Sequence, residues 1–399
     1  MKKLFPILML AGLPLFGCSG NADEPAATEV FSESDITIAT QLSDFNIEFF
    51  KAANAEAQPD ENVVVSPLSA SLLLSMLANV ADGATAADIA EVIGCDDVAG
   101  LNVLSAKYLK YLPQLDKSTK LNFANSVWYQ KDYTLNPIFS SVLGKYYNAD
   151  TFERKLQTND SKVIAEINDW VSNKTKNNIT KIVNQLNPNT VAILINTLYF
   201  KSDWANRFKE ENTKRGSFAG SNGVVMIDMM HKTEKEYYGA TEAYEVVKLG
   251  FGNGAYEAVM LLPGSDVTLS EILTTDALNE LDKIGYSKEI VELTFPKFKV
   301  EPEALHLNRI LEALGIESIG GWSESSIFTE PQEIICDVMQ KTTVEFTESG
   351  AEAAAATWSG LDTANPSTVY ELEFNRPFMF FIRETTTGAM LFAGKIVNL

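Results

Sequence analysis

Only two imidazoles, His231 and His306, occur in the 399 residues. Acid–base or nucleophilic chemistry near neutral pH therefore has few candidates. His231 follows Met229-Met230 after a strand-like stretch, and His306 stands near the start of a helix. Neither belongs to a motif that pairs it with a nucleophile, and the chain contains no G-x-S-x-G and no H-E-x-x-H. Gly250, Gly252 and Gly254 could suggest a loop that cradles phosphate. They lie between two strand-like runs, Glu245–Leu249 and Tyr256–Leu262, whereas a phosphate loop joins a strand to a helix, so a hairpin is the better reading. Cys18, Cys95 and Cys336 have no metal-ligand spacing, and Cys95 and Cys336 read as buried free thiols. These residues support no enzyme, no cofactor and no metal site.

One segment could instead be acted upon. Thr342 to Phe346 alternates like a strand, and Glu348-Ser349-Gly350-Ala351-Glu352-Ala353-Ala354-Ala355-Ala356-Thr357 follows. Taken alone, the alanine run is a helix former, and a surface helix or linker is its plain reading. With period two, positions 351, 353, 355, 357, 359, 361 and 363 carry no charge, while Glu352 and Asp362 share the other parity with Trp358. A strand divided in this way can enter a sheet with its small side buried and its charges wet. The stretch Trp358 to Ser367 has no basic residue and reads as an exposed loop.

The surrounding elements are those of an exported α+β domain. Hydrophobic residues make up 46% and charged residues 21%, enough apolar surface for a large core. A formal net charge of −21 argues against nucleic acid, heparin-like polymers and anionic membrane faces as partners. Lys107, Lys110, Lys117 and Lys120 are spread thinly and read as a solvated face. Residues 1–17 have the basic start and short apolar core of a signal peptide. Leu15-Phe16-Gly17-Cys18 is similar to a bacterial lipoprotein signal, which would leave Cys18 to carry lipid and place the protein at the cell surface or in the periplasm. Residues 18–35 read as an acidic, flexible tether, and 36–399 as one domain.

Helix signals come first. Ser66-Pro67 is a strong start for a helix reaching about Ala81, Thr85 with Asp88 looks like a capping box, and Gly94 suits a helix end. Asn136-Pro137 starts another helix, and Ile164, Ile167 and Val171 mark an amphipathic one. Strands dominate later: Val191–Phe200 is continuously apolar, as in a strand buried on both faces, and the C-terminus reads as a hairpin across residues 385–388.

Glu345 to Thr357 resembles the hinge of the serpins, Glu-x-Gly-Thr-Glu followed by small residues. The resemblance covers about residues 36–399. Further matches are Asn62 to Ser69; Asn196 to Lys201 with Trp204 and Phe208; Met229-Met230-His231; Phe374 to Phe378; and Leu391 to Lys395. It implies early helices around a large mixed central sheet, smaller sheets, and an exposed reactive-centre loop at about 350–373. It also implies a monomer that is no enzyme but a suicide substrate. A protease forms an acyl-enzyme on the loop, the freed strand enters the central sheet, and the tethered protease is distorted before it can deacylate. About fourteen residues would add roughly 45 Å of strand.

By the same resemblance, Glu348, Gly350, Ala351, Glu352, Ala353, Ala354, Ala355, Ala356 and Thr357 form the hinge, and Ser66, Ser69, Asn196, Trp204 and Gln340 the region where the sheet opens. Ala351 replaces a usual threonine or serine, and Gln340 replaces a histidine expected to bond near Ser66 and Asn196. Glutamine can both donate and accept, so that network can survive. Counting from Gly350 puts the reactive bond at Ala364-Asn365, while counting back from Phe374 gives roughly Pro366. Small Ala364 behind Thr363 suits an elastase-like protease. Leu361 or Trp358 would suit a chymotrypsin-like or papain-like one, with Leu361 and Thr363 the alternative cut positions. The competing reading is a non-inhibitory member acting as a surface binding or carrier protein.

Overall fold

The computed structural model describes residues 30–316, 327–329, 336–348 and 368–399. The first helix, α1 (Glu33–Gln41), is started by a capping box between Ser32 and Asp35. Asp35 is buried and ion-paired with Lys107. The tether expected over 18–35 therefore ends sooner, because residues 33–35 already belong to a packed helix. Lys107 likewise leaves the solvated face, since it is the counter-charge of a buried carboxylate. The α2 helix (Ser43–Glu56) turns Phe45, Phe49 and Phe50 into the core.

A short strand, β1 (Val63–Val65), feeds α3 (Pro67–Ala78). Ser66 Oγ accepts the Ser69 N–H at 3.1 Å, and Pro67 fills the first helical position. Every residue from Pro67 to Leu77 is buried, so α3 lies between layers rather than on a surface. It stops at Ala78, three residues short of the sequence expectation. The next helix, α4 (Gly83–Ile93), has Asp82 at its N-cap position. Thr85 sits buried in its first turn instead of capping it, while Gly94 closes it at φ +72° as expected.

Two sheets take up the rest. After α5 (Val98–Tyr111) come β2 (Lys120–Gln130), α6 (Pro137–Tyr146), β3 (Ala149–Arg154), α7 (Ser161–Lys174) and β4 (Ala192–Lys201). Then follow β5 (Lys214–Gly220), β6 (Gly223–Ala240), β7 (Tyr244–Phe251) and β8 (Tyr256–Pro263), the last two forming the expected hairpin. Short helices α8 (Leu269–Ile272) and α9 (Thr275–Asn279) precede β9 (Ser287–Pro296). Pro296 ends that strand, and β10 (Phe298–Val300) and β11 (Leu305–His306) join the other sheet before α10 (Asn308–Ala313). The described chain closes with β12 (Cys336–Phe346), β13 (Val369–Glu373), β14 (Phe378–Glu384) and β15 (Met390–Ile396).

The six-stranded sheet runs β10-β12-β4-β2-β3, with β11 beside β12, and mixes parallel and antiparallel pairs. The other strands link into a nine-stranded sheet. Within it, β13 pairs parallel to β9, with Leu372 buried and Tyr370 stacked on Tyr238 at 4.2 Å. The loop expected to run to 373 thus ends before Val369, where this alternation begins. The main core fills the space between the sheets around α2 and α3. A second cluster lies under α7. Cys95 and Cys336 are buried and free. Among the described residues no helix is long and apolar enough to cross a membrane.

Candidate functional site: the seam between β4 and β12

Strands β4 and β12 lie side by side and parallel, with nine facing pairs from Cys336–Ala192 to Val344–Phe200. Even-numbered residues of both, among them Leu194, Leu198, Val338 and Val344, enter the main core. Below, Ile193, Ile195 and Met339 on the opposite face pack under Val163, Ile167 and Val171 of α7. This double coverage is why the two strands read as near-continuous apolar runs. Towards the upper end the outer face opens: Lys201 and Glu345 pair at 3.5 Å with about a third of each side chain exposed.

The structure brings Ser66, Ser69, Asn196 and Gln340 together on the core side of this seam. Gln340 faces Asn196 in register but does not bond to it. Its Oε1 accepts the Ser66 backbone N–H at 2.9 Å, and its Nε2 donates to the Ser66 carbonyl at 2.8 Å. Of the network expected near Ser66 and Asn196, the Ser66 side is present, without a direct Gln340–Asn196 bond among the described residues. Both ends of the amide are spent on one backbone residue, since the Ser66 side chain is occupied as a helix cap. Asn196 Nδ2 turns to Asn125 Oδ1 at 2.6 Å, and Asn125 donates onward to the Tyr147 carbonyl at 2.8 Å. Among the described residues the buried Ser69 hydroxyl and Asn196 Oδ1 find no partner, nor do the Thr197 and Thr343 hydroxyls on the seam's other face. Thr342, which sequence reasoning reads only as part of a strand, donates to the Val64 carbonyl at 3.0 Å and ties β12 to β1 beside the Gln340–Ser66 bonds.

Gln340→Leu should show how firmly this tie holds. It keeps the volume but leaves the buried Ser66 N–H unpaired, while the Ser66 carbonyl keeps only the Ala70 N–H at 3.1 Å, at a cost of about 1–3 kcal/mol. The expected result is a thermal-unfolding midpoint several degrees lower; an unchanged midpoint would mean that the bonds contribute nothing net.

Trp204 stands apart, at the upper end. Its indole is stacked on Phe251 at 4.5 Å and on Phe346 at 5.8 Å, each at 13°, and its Nε1 donates to the Thr347 carbonyl at 2.9 Å. One residue further, Glu348 is buried and clasped: Lys297 Nζ lies 2.8 Å away and Thr213 Oγ1 donates at 2.9 Å. Burial would raise this carboxyl. The bonds from Lys297, from its own backbone N–H and from Thr213 outweigh that and hold it below the ordinary value of 4.5. A lowered folded-state pKa contributes stability above the unfolded pKa, and that stability is lost as pH falls through the folded value. Glu348→Gln should therefore melt below the parent at neutral pH, with the gap closing under acid conditions. A gap that stays constant with pH would remove the carboxylate from the account.

The geometry prescribes what can happen here. A segment leaving the end of β12 must reverse to re-enter the sheet. It would then run antiparallel to β12 and, because β4 parallels β12, antiparallel to β4 as well. One parallel junction would become two antiparallel ones, which are the stronger kind per residue. Gly350, Ala351, Glu352, Ala353, Ala354, Ala355, Ala356 and Thr357, the expected bond Ala364-Asn365, the alternatives Leu361 and Thr363, and Cys18 all lie outside the described residues. Lys297, Thr213, Phe251 and Phe346 escaped sequence reasoning. Phe346 ends β12 itself, the other three reach the site from other strands and connections, and no local pattern marks any of them. Among the described residues no cluster of three potential metal ligands occurs.

Comparison with known proteins agrees with this arrangement. A family model described as Serpin (serine protease inhibitor) matches residues 40–399. Human antithrombin-III is 30% identical over 96% of this chain and 88% of its own length. An uncharacterized serpin-like protein of Thermococcus kodakarensis is 27% identical over 90% of this chain and 85% of its own. Among solved structures, the thermophilic serpin tengpin in its native state superposes with a TM-score of 0.80 at 28% identity, covering 92% of this chain and 95% of that one. Arabidopsis AtSerpin1 in its native stressed conformation gives 0.81 at 26%, covering 92% and 99%. With a closed parallel seam, a fastened loop root and a family match over nearly the whole domain, the chain belongs to the serpin family.

Proposed function

We propose that this serpin is a suicide-substrate inhibitor of secreted endopeptidases, with an elastase-like serine protease as its first target class. The observation that carries the reading is the parallel seam. It is closed along nine residue pairs, and its upper end leads into a segment whose odd-numbered residues 351–363 are small or apolar and uncharged. Cleavage in that segment frees a strand of the right parity to enter between β4 and β12. The acyl-linked protease is carried along before water can release it. A bulky or charged inner face would oppose burial, and this one has neither from Ala351 to Ala355. By its signal-like start and Cys18, the protein is exported and held on a membrane only through an N-terminal lipid. The domain acts as a monomer.

The test is incubation of residues 36–399 with pancreatic elastase, followed by denaturing gel and intact mass. The expected result is a denaturant-stable complex and a released peptide starting at Asn365. Cleavage without complex, repeated with chymotrypsin and a papain-like protease, would favour a non-inhibitory binding role. No Lys or Arg lies between Glu348 and Tyr370, so Ala364→Arg should confer trypsin inhibition that the parent lacks. Failure to gain it would move the cut away from Ala364.

A further inference from the structure

Away from the seam, a cavity of about 720 Å³ opens between α2, the turn from β8 to α8, and the end of β15. That volume suits a small organic ligand. The chain has 53 acidic and 32 basic residues, yet among the described residues no carboxylate lines this cavity, whereas Lys51, Arg376 and Lys395 do. Lys51 is neutralised by Glu48 at 2.9 Å. The other two are not. Lys395 is 7% exposed and its ammonium makes no hydrogen bond or ion pair with any described residue; Asp60 and Glu61 act on it only through longer-range attraction. Arg376 donates one Nη2 hydrogen bond to the Pro263 carbonyl at 2.7 Å, and among the described residues it has no carboxylate partner and its buried Nε no acceptor. The strand register explains their proximity: Lys395 lies opposite Met379, three residues beyond Arg376.

A buried cation without a counter-charge is costly, and buried Lys395 beside half-buried Arg376, whose Nε is itself buried, marks a place where an anion is stabilised. Val267, Leu269, Leu273 and Pro377 supply an apolar wall beside them. We propose that this cavity binds a small amphiphile with a single carboxylate, its headgroup held by Lys395 and Arg376 and its apolar body against that wall. The site is independent of loop insertion and of the protease reading.

Calorimetric titration of the full chain with monomeric dodecanoate, with dodecanol and dodecyltrimethylammonium alongside, tests it. Dodecanoate should bind with one-to-one stoichiometry, at least about tenfold more tightly than either comparison compound. Lys395→Met keeps the length and removes the charge, and should weaken dodecanoate at least about tenfold. Val267→Trp should block it by filling the cavity without touching either cation. Equal binding of dodecanol and dodecanoate would overturn the proposal, as would parental affinity in both variants. If Lys395→Met fails to fold, the comparison of the three ligands and the Val267→Trp variant still decide.

Discussion

Ala353→Arg is expected to abolish the denaturant-stable complex with elastase while leaving cleavage of the loop intact. The reason lies in the two faces of the seam. Even-numbered residues of β4 and β12 meet the core around α3, where Leu198 and Val344 are at most 1% exposed. The other face is partly open at its top, beside Lys201 and Glu345. An inserted strand must turn its uncharged parity, the odd one, to the closed side. An arginine at 353 would bury a guanidinium with no counter-ion, and a penalty of about 4 kcal/mol would slow insertion roughly a thousandfold. Deacylation would then win. Ala354→Arg, one residue on, points to the open side and should keep most of the complex. Covalent complex in the 353 variant, or equal loss in both, would refute the assigned parity.

The second large effect concerns the clasp at the loop root. Glu348→Lys would set two ammonium groups against each other where Glu348 is only 5% exposed. Breaking a fully buried pair costs several kcal/mol, but Lys297 is 41% exposed on its side-chain surface, so about 2–3 kcal/mol is a fair expectation. The consequence reaches beyond stability. On the proposed mechanism Glu348 anchors the start of the hinge, and its release would free that segment to enter the seam uncut. It also leaves an opened seam available to the loop of another copy. A lower melting temperature and a ladder of oligomers on native gels at elevated temperature are expected. Adding Lys297→Glu should restore both towards the parent, because the pair is then reversed rather than broken. A single variant that melts like the parent and stays monomeric would show that the clasp does not restrain the hinge.

Much of the frame was legible because it rests on local rules. Ser66-Pro67 starts α3, Gly94 ends α4, and the apolar run at Val191–Phe200 becomes a strand covered on both faces. The failures share a cause too. Thr85 and Asp88 look like a cap only until Asp82 is seen at the helix start. Asp35 looks like tether until Lys107, 72 residues away, is found against it. Gln340 stands out in the sequence as a departure from the family pattern, but its partner is a backbone that only tertiary packing brings near. Lys297 and Thr213 could not be read at all. Nothing in their neighbourhoods announces that Glu348 will arrive between them.

The parallel alignment of β4 and β12 carries a last consequence, one of stoichiometry. On the proposed mechanism, each insertion trades one parallel junction for two antiparallel ones, and nothing in the fold supplies the free energy to reverse the trade. Each molecule therefore works once. Protection is counted in moles rather than in turnovers, and a protease burst larger than the supply passes through unopposed. The quantity under selection is then the rate at which fresh chains are supplied, as much as the speed of any single trap.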